Sequence, residues 1–192
     1  LAVVEEELQS LNDTIVKEIS ELGAKCAGLN GKKGQLIQAE KKKAKIDLGL
    51  VGNIVGVNAE MVLNELEKDK IAVILPMASD KEKKAYNVNA DEAAASVAGA
   101  LGAEKFVLLT NVKGILRNPE DPHSFISTLT TKEARGLVED NVIQQGMIPK
   151  VKACIDALKK GVRKTHIVDA RIPHGLLLEI FTDQGIGTEI IQ

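Results

Sequence analysis

Hydrophobic residues recur along the chain in two alternating patterns, which predict helices and strands in turn. Apolar residues three and four positions apart from Leu8 to Leu22 define one face of a helix that ends at Gly23. Apolar runs of strand length follow it at residues 25–29, 70–77, 105–110 and 165–169. This alternation predicts an α/β fold, a three-layer αβα sandwich in which helices cover both faces of a mainly parallel sheet.

The remaining elements are predicted from capping and turn signals. Helices are expected at residues 59–68, 131–139, 149–160 and 173–181, the first capped by Asn58. Two ribbon-like segments, residues 35–39 and 44–48, are expected to form a hairpin with a lysine-rich tip, and a charged hairpin follows at residues 79–84. A tight loop at residues 111–114 ends the strand 105–110, at the sheet edge where ligands gather in doubly wound folds.

Composition excludes several classes of function. The chain has 192 residues, 44% of them apolar, and a net charge of −2, so no basic excess points to nucleic acid. Aromatic residues make up 2%, too few for base-stacking or sugar-stacking platforms. Cys26 and Cys154 are far apart and predict buried structural thiols instead of a metal site. No apolar run approaches the ~18 residues of a membrane span, and we expect a cytoplasmic or organellar protein.

The most informative motif is YNVNAD at residues 86–91. Its polar side chains, Asn87, Asn89 and Asp91, alternate, and an extended backbone would project all three to one side. Asp91 also precedes an alanine-rich helix-forming stretch, for which it is a favoured N-cap. The positive end of that helix beside the polar side chains would suit an anionic ligand. A plain helix cap and ordinary turn asparagines are the alternative interpretation.

A second cluster lies at residues 145–150, QGMIPK. Gly146 permits close backbone approach, and Pro149 fits the first position of a helix. Lys150 in the first turn is unfavourable beside the positive helix end unless an anion such as phosphate lies between them. A solvated lysine is an equally good interpretation of the spacing alone.

Several blocks, in order, together resemble the amino acid kinase family, and most closely its members that phosphorylate N-acetyl-L-glutamate. The blocks are residues 47–52 with 57–58, 86–91, 108–116, 146–151 and 181–188. The resemblance covers nearly the whole chain. It implies transfer of the terminal phosphoryl group of ATP, bound with Mg²⁺, to the side-chain carboxylate of N-acetyl-L-glutamate in arginine biosynthesis. It also implies that residues 1–102 are the remainder of an acceptor-binding lobe and residues 103–192 a nucleotide-binding lobe.

The resemblance assigns roles to individual residues. Asn87 and Asn89 would bind the acceptor, Asp91 would orient catalytic lysines, and Lys150 would neutralise the transferring phosphoryl group. The implied nucleotide-binding residues are Thr110, Asn111, Gly114, Leu116, Gly146 and Met147. A carboxylate acceptor, with a pKa of about 4, is already ionised at neutral pH, so no general base is needed. Asn111 stands where the family usually has Asp, which removes a negative charge near the phosphates or their metal.

The carboxyl-terminal region is similar to the arginine-inhibited versions of this enzyme. His166 and Glu179 would receive a guanidinium group. A strand-end histidine and a solvated helix glutamate are the ordinary alternatives. The resemblance further implies a homo-oligomer, either a dimer or a hexamer. Two other functions stay open: phosphorylation of glutamate, aspartate, carbamate or UMP, and a non-catalytic fragment that binds a nucleotide or arginine.

These residues contain no counterpart of the family's amino-terminal phosphate-binding loop, of its second glycine-rich loop, or of the arginine that grips the acceptor. We therefore expect weak or no phosphoryl transfer from these 192 residues alone. Incubation with ATP and N-acetyl-L-glutamate, with the acyl phosphate trapped as its hydroxamate, measures this directly. Vigorous turnover would contradict the expectation.

Overall fold

The chain forms two compact units, Leu1–Leu101 and Gly102–Gln192. They are seen in a computed structural model that describes residues 1–118, 120–121, 123–143, 146–182 and 185–192. Helices alternate with parallel strand pairs in both units, which confirms the α/β class predicted from the sequence. The acceptor and nucleotide roles predicted for residues 1–102 and 103–192 stay predictions.

The first unit contains three α-helices, six strands and a short 3-10 helix at Lys33–Gln35. In chain order the α-helices and strands are α1 (Ala2–Glu21), β1 (Cys26–Asn30), β2 (Ile37–Lys41), β3 (Gly52–Val57), α2 (Ala59–Leu66), β4 (Ile71–Leu75), β5 (Met77–Ser79), β6 (Ala85–Asn87) and α3 (Ala90–Ala100). Strands β1 and β4 pair in parallel, and a four-stranded sheet has the order β3-β2-β5-β6. Leu36, Ile37 and Val62 lie at the centre of the unit's apolar core.

The predicted lysine-tipped hairpin has a different second strand. Residues 44–48 form no strand, and β2 pairs instead with β3, with Lys41 opposite Gly52. Asp47 contributes to this difference because its carboxylate accepts from Gly49 N at 3.0 Å and pairs with Lys41 Nζ at 2.9 Å. These local contacts satisfy polar groups that a strand would pair across the sheet. The prediction of a strand at residues 44–48 is therefore wrong.

The YNVNAD motif is also built differently from the prediction. Strand β6 ends at Asn87, and Asn89, not Asp91, is the N-cap of α3, its side chain accepting from Glu92 N at 3.0 Å. Asp91 lies inside the first turn of the helix. Because the backbone is already helical at that point, Asn87, Asn89 and Asp91 do not project from one extended strand. The charged hairpin predicted before the motif is confirmed as the antiparallel pair β5–β6.

The second unit contains three helices and six strands in its described residues. They are β7 (Lys105–Thr110), β8 (Ile115–Leu116), β9 (Phe125–Ile126), β10 (Thr128–Thr130), α4 (Thr131–Glu139), α5 (Ile148–Lys159), β11 (Lys164–Asp169), α6 (Gly175–Phe181) and β12 (Thr188–Ile191). The main sheet has the order β10-β12-β11-β7, with β12 antiparallel to β11. Thr130 and Glu133 form a capping box that starts α4.

Strands β7 and β11 pair in parallel over their full lengths, from Lys105 opposite Lys164 to Thr110 opposite Asp169. Both strands therefore end at the same edge of the sheet. The N–H of Ala170 continues the connection beyond the strands, donating to Thr110 O at 2.8 Å. The segments that follow the two strands consequently start side by side, which is the usual arrangement of a ligand-binding edge.

Smaller differences from the predicted elements have local causes. The predicted strand 70–77 is divided at Pro76, which has no N–H to donate. Pro149 occupies the second position of α5, since that helix begins at Ile148. Helix α6 begins at Gly175 because His174 has a φ of 59°, outside the helical region. Cys154 is fully buried as predicted, whereas Cys26 is partly buried. Among the described residues, no helix is long and apolar enough to cross a membrane.

Candidate functional site

A cavity of about 590 Å³ opens at the shared edge of β7 and β11. All six predicted nucleotide-binding residues line it, and so does Lys150. The described lining residues are Thr110, Asn111, Val112, Lys113, Gly114, Ile115, Leu116, Val142, Ile143, Gly146, Met147, Lys150 and Arg171. Sequence positions separated by up to 61 residues, from Thr110 to Arg171, are thus brought into one concave site of the size that small-molecule ligands occupy. Gln145, the first residue of the predicted cluster 145–150, lies outside the described residues.

One wall of the cavity is the loop that follows β7. Gly114 has a φ of 131°, and a Cβ at this position would lie 2.6 Å from Thr188 Oγ1. The next residue is fixed by the same side chain, because Ile115 N donates to Thr188 Oγ1 at 2.8 Å. Thr188 in turn donates to Ile126 O at 2.7 Å. Glycine is therefore required at position 114 both for the backbone conformation and for the close approach of β12.

The opposite wall is formed by Gly146, Met147 and the start of α5. No atom lies within 4 Å of where a Cβ on Gly146 would be, so the backbone there borders open space. Met147 is the N-cap of α5 and makes no side-chain cap hydrogen bond. Its buried face, which includes Val151 and Leu158, fixes the helix against the sheet and thereby the position of Lys150 in the first turn.

The lining of the cavity is cationic. Lys113, Lys150 and Arg171 contribute positive charge, and none of the described lining residues is an Asp or a Glu. Asp169 lies next to the cavity and is buried, with Arg171 as its partner. The Arg171 guanidinium, with the Arg171 backbone N–H, lowers the pKa of the Asp169 carboxyl to about 2. Such a site suits a ligand that carries several negative charges.

Lys113, Asp169 and Arg171 are functional candidates that the sequence analysis did not single out. Lys113 follows β7 and Arg171 follows β11, and only the parallel pairing of these strands shows that both residues reach one cavity. The signal that could have found Arg171 is the Asp-Ala-Arg sequence directly after a buried strand, because a carboxylate two residues before an arginine can orient its guanidinium.

The predicted acceptor-binding residues lie in the first unit, at the β6–α3 junction. Asn87 is exposed, and its backbone N–H donates to Leu50 O at 2.8 Å. Asn89 is exposed and uses its side-chain oxygen as the α3 cap, while Asp91 is partly buried in the first turn. Their predicted roles in binding and in orienting lysines stay predictions.

The predicted regulatory pair is in contact. His166 Nδ1 and Glu179 Oε1 are 2.7 Å apart, and both side chains are buried. The other carboxylate oxygen, Oε2, accepts from the backbone N–H groups of Ile186 at 2.7 Å and Gly187 at 2.8 Å. The alternatives of a solvated glutamate and a strand-end histidine are wrong, since Glu179 is 7% exposed and His166 lies within β11.

Glu179 is held as a carboxylate by these contacts. Burial by itself raises the pKa of Glu179, but the N–H groups of Ile186 and Gly187 and the neighbouring His166 together lower it below its ordinary value. His166 and Glu179 line a second cavity of the unit, of about 370 Å³, together with Lys105, Lys164 and Glu189. His166 Nε2 is buried without a hydrogen-bond partner in the described part of the chain.

The sequence matches a known family and named relatives. The profile of the amino acid kinase family matches residues 1–169. An acetylglutamate kinase from Petrotoga mobilis is 52% identical over 180 residues, covering 94% of this chain and 60% of the relative. An acetylglutamate kinase from Caldanaerobacter subterraneus subsp. tengcongensis is 49% identical with the same coverage of 94% and 60%. The chain thus spans about three-fifths of the length of these relatives.

Solved structures share the fold. The N-acetylglutamate synthase of Neisseria gonorrhoeae, complexed with coenzyme A and N-acetyl-glutamate, superposes with a TM-score of 0.82 at 26% identity over 97% of this chain and 43% of that one. Its complex with coenzyme A and L-arginine gives 0.75 at 28% identity, covering 88% and 38%. An isopentenyl phosphate kinase gives 0.71 at 18% identity, covering 98% and 68%, which is a likeness of fold alone. These matches confirm the amino acid kinase-like αβα sandwich predicted from the sequence.

The state of Glu179 predicts a pH dependence of stability. Because its pKa is lowered in the folded chain, its contribution is fully present above the ordinary carboxyl pKa of about 4.3 and is lost as the pH falls through the lower folded value. Glu179→Gln should therefore be less stable than the parent at pH 7, with the difference shrinking towards pH 3. Thermal unfolding of both proteins from pH 7 to pH 3 measures this difference in stability.

The control is Glu104→Gln, whose exposed carboxylate pairs with Arg163 at 3.4 Å. It should differ little from the parent at any pH, since exposed pairs contribute little. A stability difference for Glu179→Gln that stays constant from pH 7 to pH 3 would contradict the assignment.

Proposed function

Since the chain belongs to the amino acid kinase family, we propose that it serves the ATP-dependent phosphorylation of the side-chain carboxylate of N-acetyl-L-glutamate, a step of arginine biosynthesis. The observation that carries the proposal is the cationic cavity at the edge of β7 and β11, which gathers Lys150 and the six predicted nucleotide-binding residues. The identity of 52% and 49% to two acetylglutamate kinases supports the choice of acceptor.

The cavity has the chemistry that a nucleoside triphosphate needs. The cavity offers a purine the apolar side chains of Leu116, Val142, Ile143 and Met147. It offers the phosphates the positive charge of Lys113 and Lys150. The acceptor carboxylate is already a nucleophile at neutral pH, so the transfer depends on alignment and on neutralising charge. Lys150 is the residue we assign to charge neutralisation at the transferring phosphoryl group.

Magnesium accompanies ATP in this proposal. When bound with ATP, it would supply charge neutralisation at the phosphates. The described lining of the cavity contains no carboxylate, and Asn111 offers only a neutral amide oxygen. Mg²⁺ is usually held by one or two carboxylates together with the substrate phosphates, so the phosphates of the nucleotide would supply part of its ligands.

The acceptor end of the proposal rests on the β6–α3 junction. Asn89 uses its side-chain oxygen as the helix cap, which leaves its amide N–H groups to serve as donors to a carboxylate or acetyl group. Asn87 is exposed at the end of β6, and we assign it to binding of the same carboxylate or acetyl group of the acceptor. We assign Asp91 the role of orienting catalytic lysines, because a carboxyl group can accept hydrogen bonds from ammonium groups and the reaction needs no general base.

Self-association is part of the proposal. Helix α1 and its C-cap Leu22 expose apolar side chains at spacings of seven and four residues, among them Leu11 (55% exposed) and Leu22 (88%). Apolar surface of this kind is typical of interfaces between subunits. Sedimentation equilibrium of the chain measures the association state, and a monomer at all concentrations would contradict it.

Arginine binding is a second candidate function, favoured by the cavity around His166 and Glu179. Buried Glu179 and nearby Glu189 match a guanidinium, and Lys105 and Lys164 match a carboxylate. The arginine complex of the Neisseria synthase, which shares the fold, supports the same ligand here. Calorimetric titration of the folded chain with L-arginine should show binding, and the absence of heat would contradict this function.

The main proposal predicts a specific effect at Lys150. Replacing Lys150 by Gln removes the charge assigned to the phosphates, so the affinity for ATP with Mg²⁺ should fall about tenfold, the effect of one charge-assisted hydrogen bond. Isothermal calorimetry of the parent and of Lys150→Gln measures it. The same experiment with N-acetyl-L-glutamate, glutamate, aspartate, carbamate and UMP should show binding of N-acetyl-L-glutamate alone among these acceptors.

Lys152→Gln is the matched control, because Lys152 lies on the same helix, is exposed and does not line the cavity. Its ATP affinity should stay within about twofold of the parent, since it loses only a solvated charge. A parent chain that binds no nucleotide, equal losses for both lysines, or preference for another acceptor would overturn the proposal.

A further inference from the structure

Asp169 and Arg171 form a rigid charged pair at the carboxyl end of β11. The Arg171 guanidinium donates from Nε to Asp169 Oδ1 at 2.9 Å and from Nη2 to Oδ2 at 2.8 Å, and Arg171 N also donates to Oδ1 at 3.0 Å. The carboxylate is buried, with 3% of Asp169 exposed, whereas 65% of the Arg171 side chain is exposed and lines the β7–β11 cavity.

We propose that Arg171, oriented by Asp169, is a further binding residue of this cavity and contacts the phosphate chain of the nucleotide. The inference rests on the proposed function, because it names a group that recognises the nucleotide in that same site. Asp169 is the positioning residue of the pair, since it acts on the ligand only through Arg171.

The backbone fixes where the guanidinium can reach. Asp169 lies opposite Thr110 in the parallel pair, and Ala170 N donates to Thr110 O at 2.8 Å. Ile172 N donates back to Asp169 O at 3.3 Å, which closes a turn around Arg171. The guanidinium is therefore held beside the loop that follows Thr110 and carries Lys113. An arginine ordered in advance loses less conformational entropy when it binds an anion than a mobile one does.

The hydrogen bonds to Asp169 use only one edge of the guanidinium. Nε and one proton of Nη2 are engaged, and in the described residues Nη1 has no bond to this carboxylate. A guanidinium is planar, so a second anion can bind along its other edge. Phosphate oxygens are the natural partner, because two other cations, Lys113 and Lys150, line the same cavity.

The competing explanation is that Arg171 only neutralises the buried Asp169. In that case its removal would weaken folding, and any loss of affinity would be similar for all nucleotides. A phosphate-binding arginine instead produces a loss that depends on the number of phosphates. The gradient across ATP, ADP and adenosine therefore separates a binding role from a structural one.

The experiment measures the affinity of the 192-residue chain for ATP, ADP and adenosine by calorimetry, in the parent and in Arg171→Gln. We expect ATP to bind about tenfold more weakly to Arg171→Gln, ADP to be affected less, and adenosine to change by less than about twofold. Arg171→Lys should lie between the parent and Arg171→Gln for ATP, because it keeps the charge but loses the planar fork.

Arg163→Gln is the control, since Arg163 pairs with Glu104 on the surface and does not line the cavity. It should bind all three ligands as the parent does. If Arg171→Gln does not fold, Arg171→Lys decides, and it must lose ATP affinity while keeping adenosine affinity. Unchanged ATP affinity, or equal losses for ATP and adenosine, would overturn the inference while the proposed function stands. A parent chain that binds none of the three would overturn both.

Discussion

The parallel pairing of β7 with β11 is the constraint on which the candidate site depends. Thr110 lies opposite Asp169, and the Ala170 N–H to Thr110 O bond extends the ladder into the loops. A shift of the register by one residue would turn each side chain of β11 to the other face of the sheet. The loop that carries Lys113 and the turn that carries Arg171 would then no longer border one cavity.

The antiparallel partner of β11 completes the arrangement. Strand β12 supplies Thr188, which accepts from Ile115 N in β8 and donates to Ile126 O in β9, and so joins both strands of this small sheet to β12. The backbone ahead of β12 supplies two N–H groups that hold the Glu179 carboxylate. Strand β11 itself contributes His166 to one cavity and leads into Arg171 in the other. Strand β11, which pairs with β7 on one side and with β12 on the other, therefore supports both candidate ligand sites of the second unit.

The sequence predicted the helices and strands that local patterns indicate and the site residues that the family resemblance names. Long apolar runs located β7 and β11, and the resemblance named the residues that the cavity brings together. The prediction of Asp91 as the cap of α3 is wrong, because Asn and Asp are both favoured at a cap and the end of β6 selects Asn89. Residues 44–48 have a strand-like composition, yet Asp47 satisfies Gly49 N and Lys41 locally. Lys113 and Arg171 resemble solvated loop residues until the strand pairing is known.

The central claim is that the edge of β7 and β11 binds the nucleotide. A crystal structure of the chain with Mg²⁺ and a non-hydrolysable ATP analogue tests it most directly. The account predicts the phosphates between the loop after Thr110 and the start of α5, within hydrogen-bonding distance of Lys150 Nζ, with the base against Leu116 and Met147. An analogue bound in the cavity of His166 and Glu179, or one whose phosphates lie away from Lys150, would contradict the account.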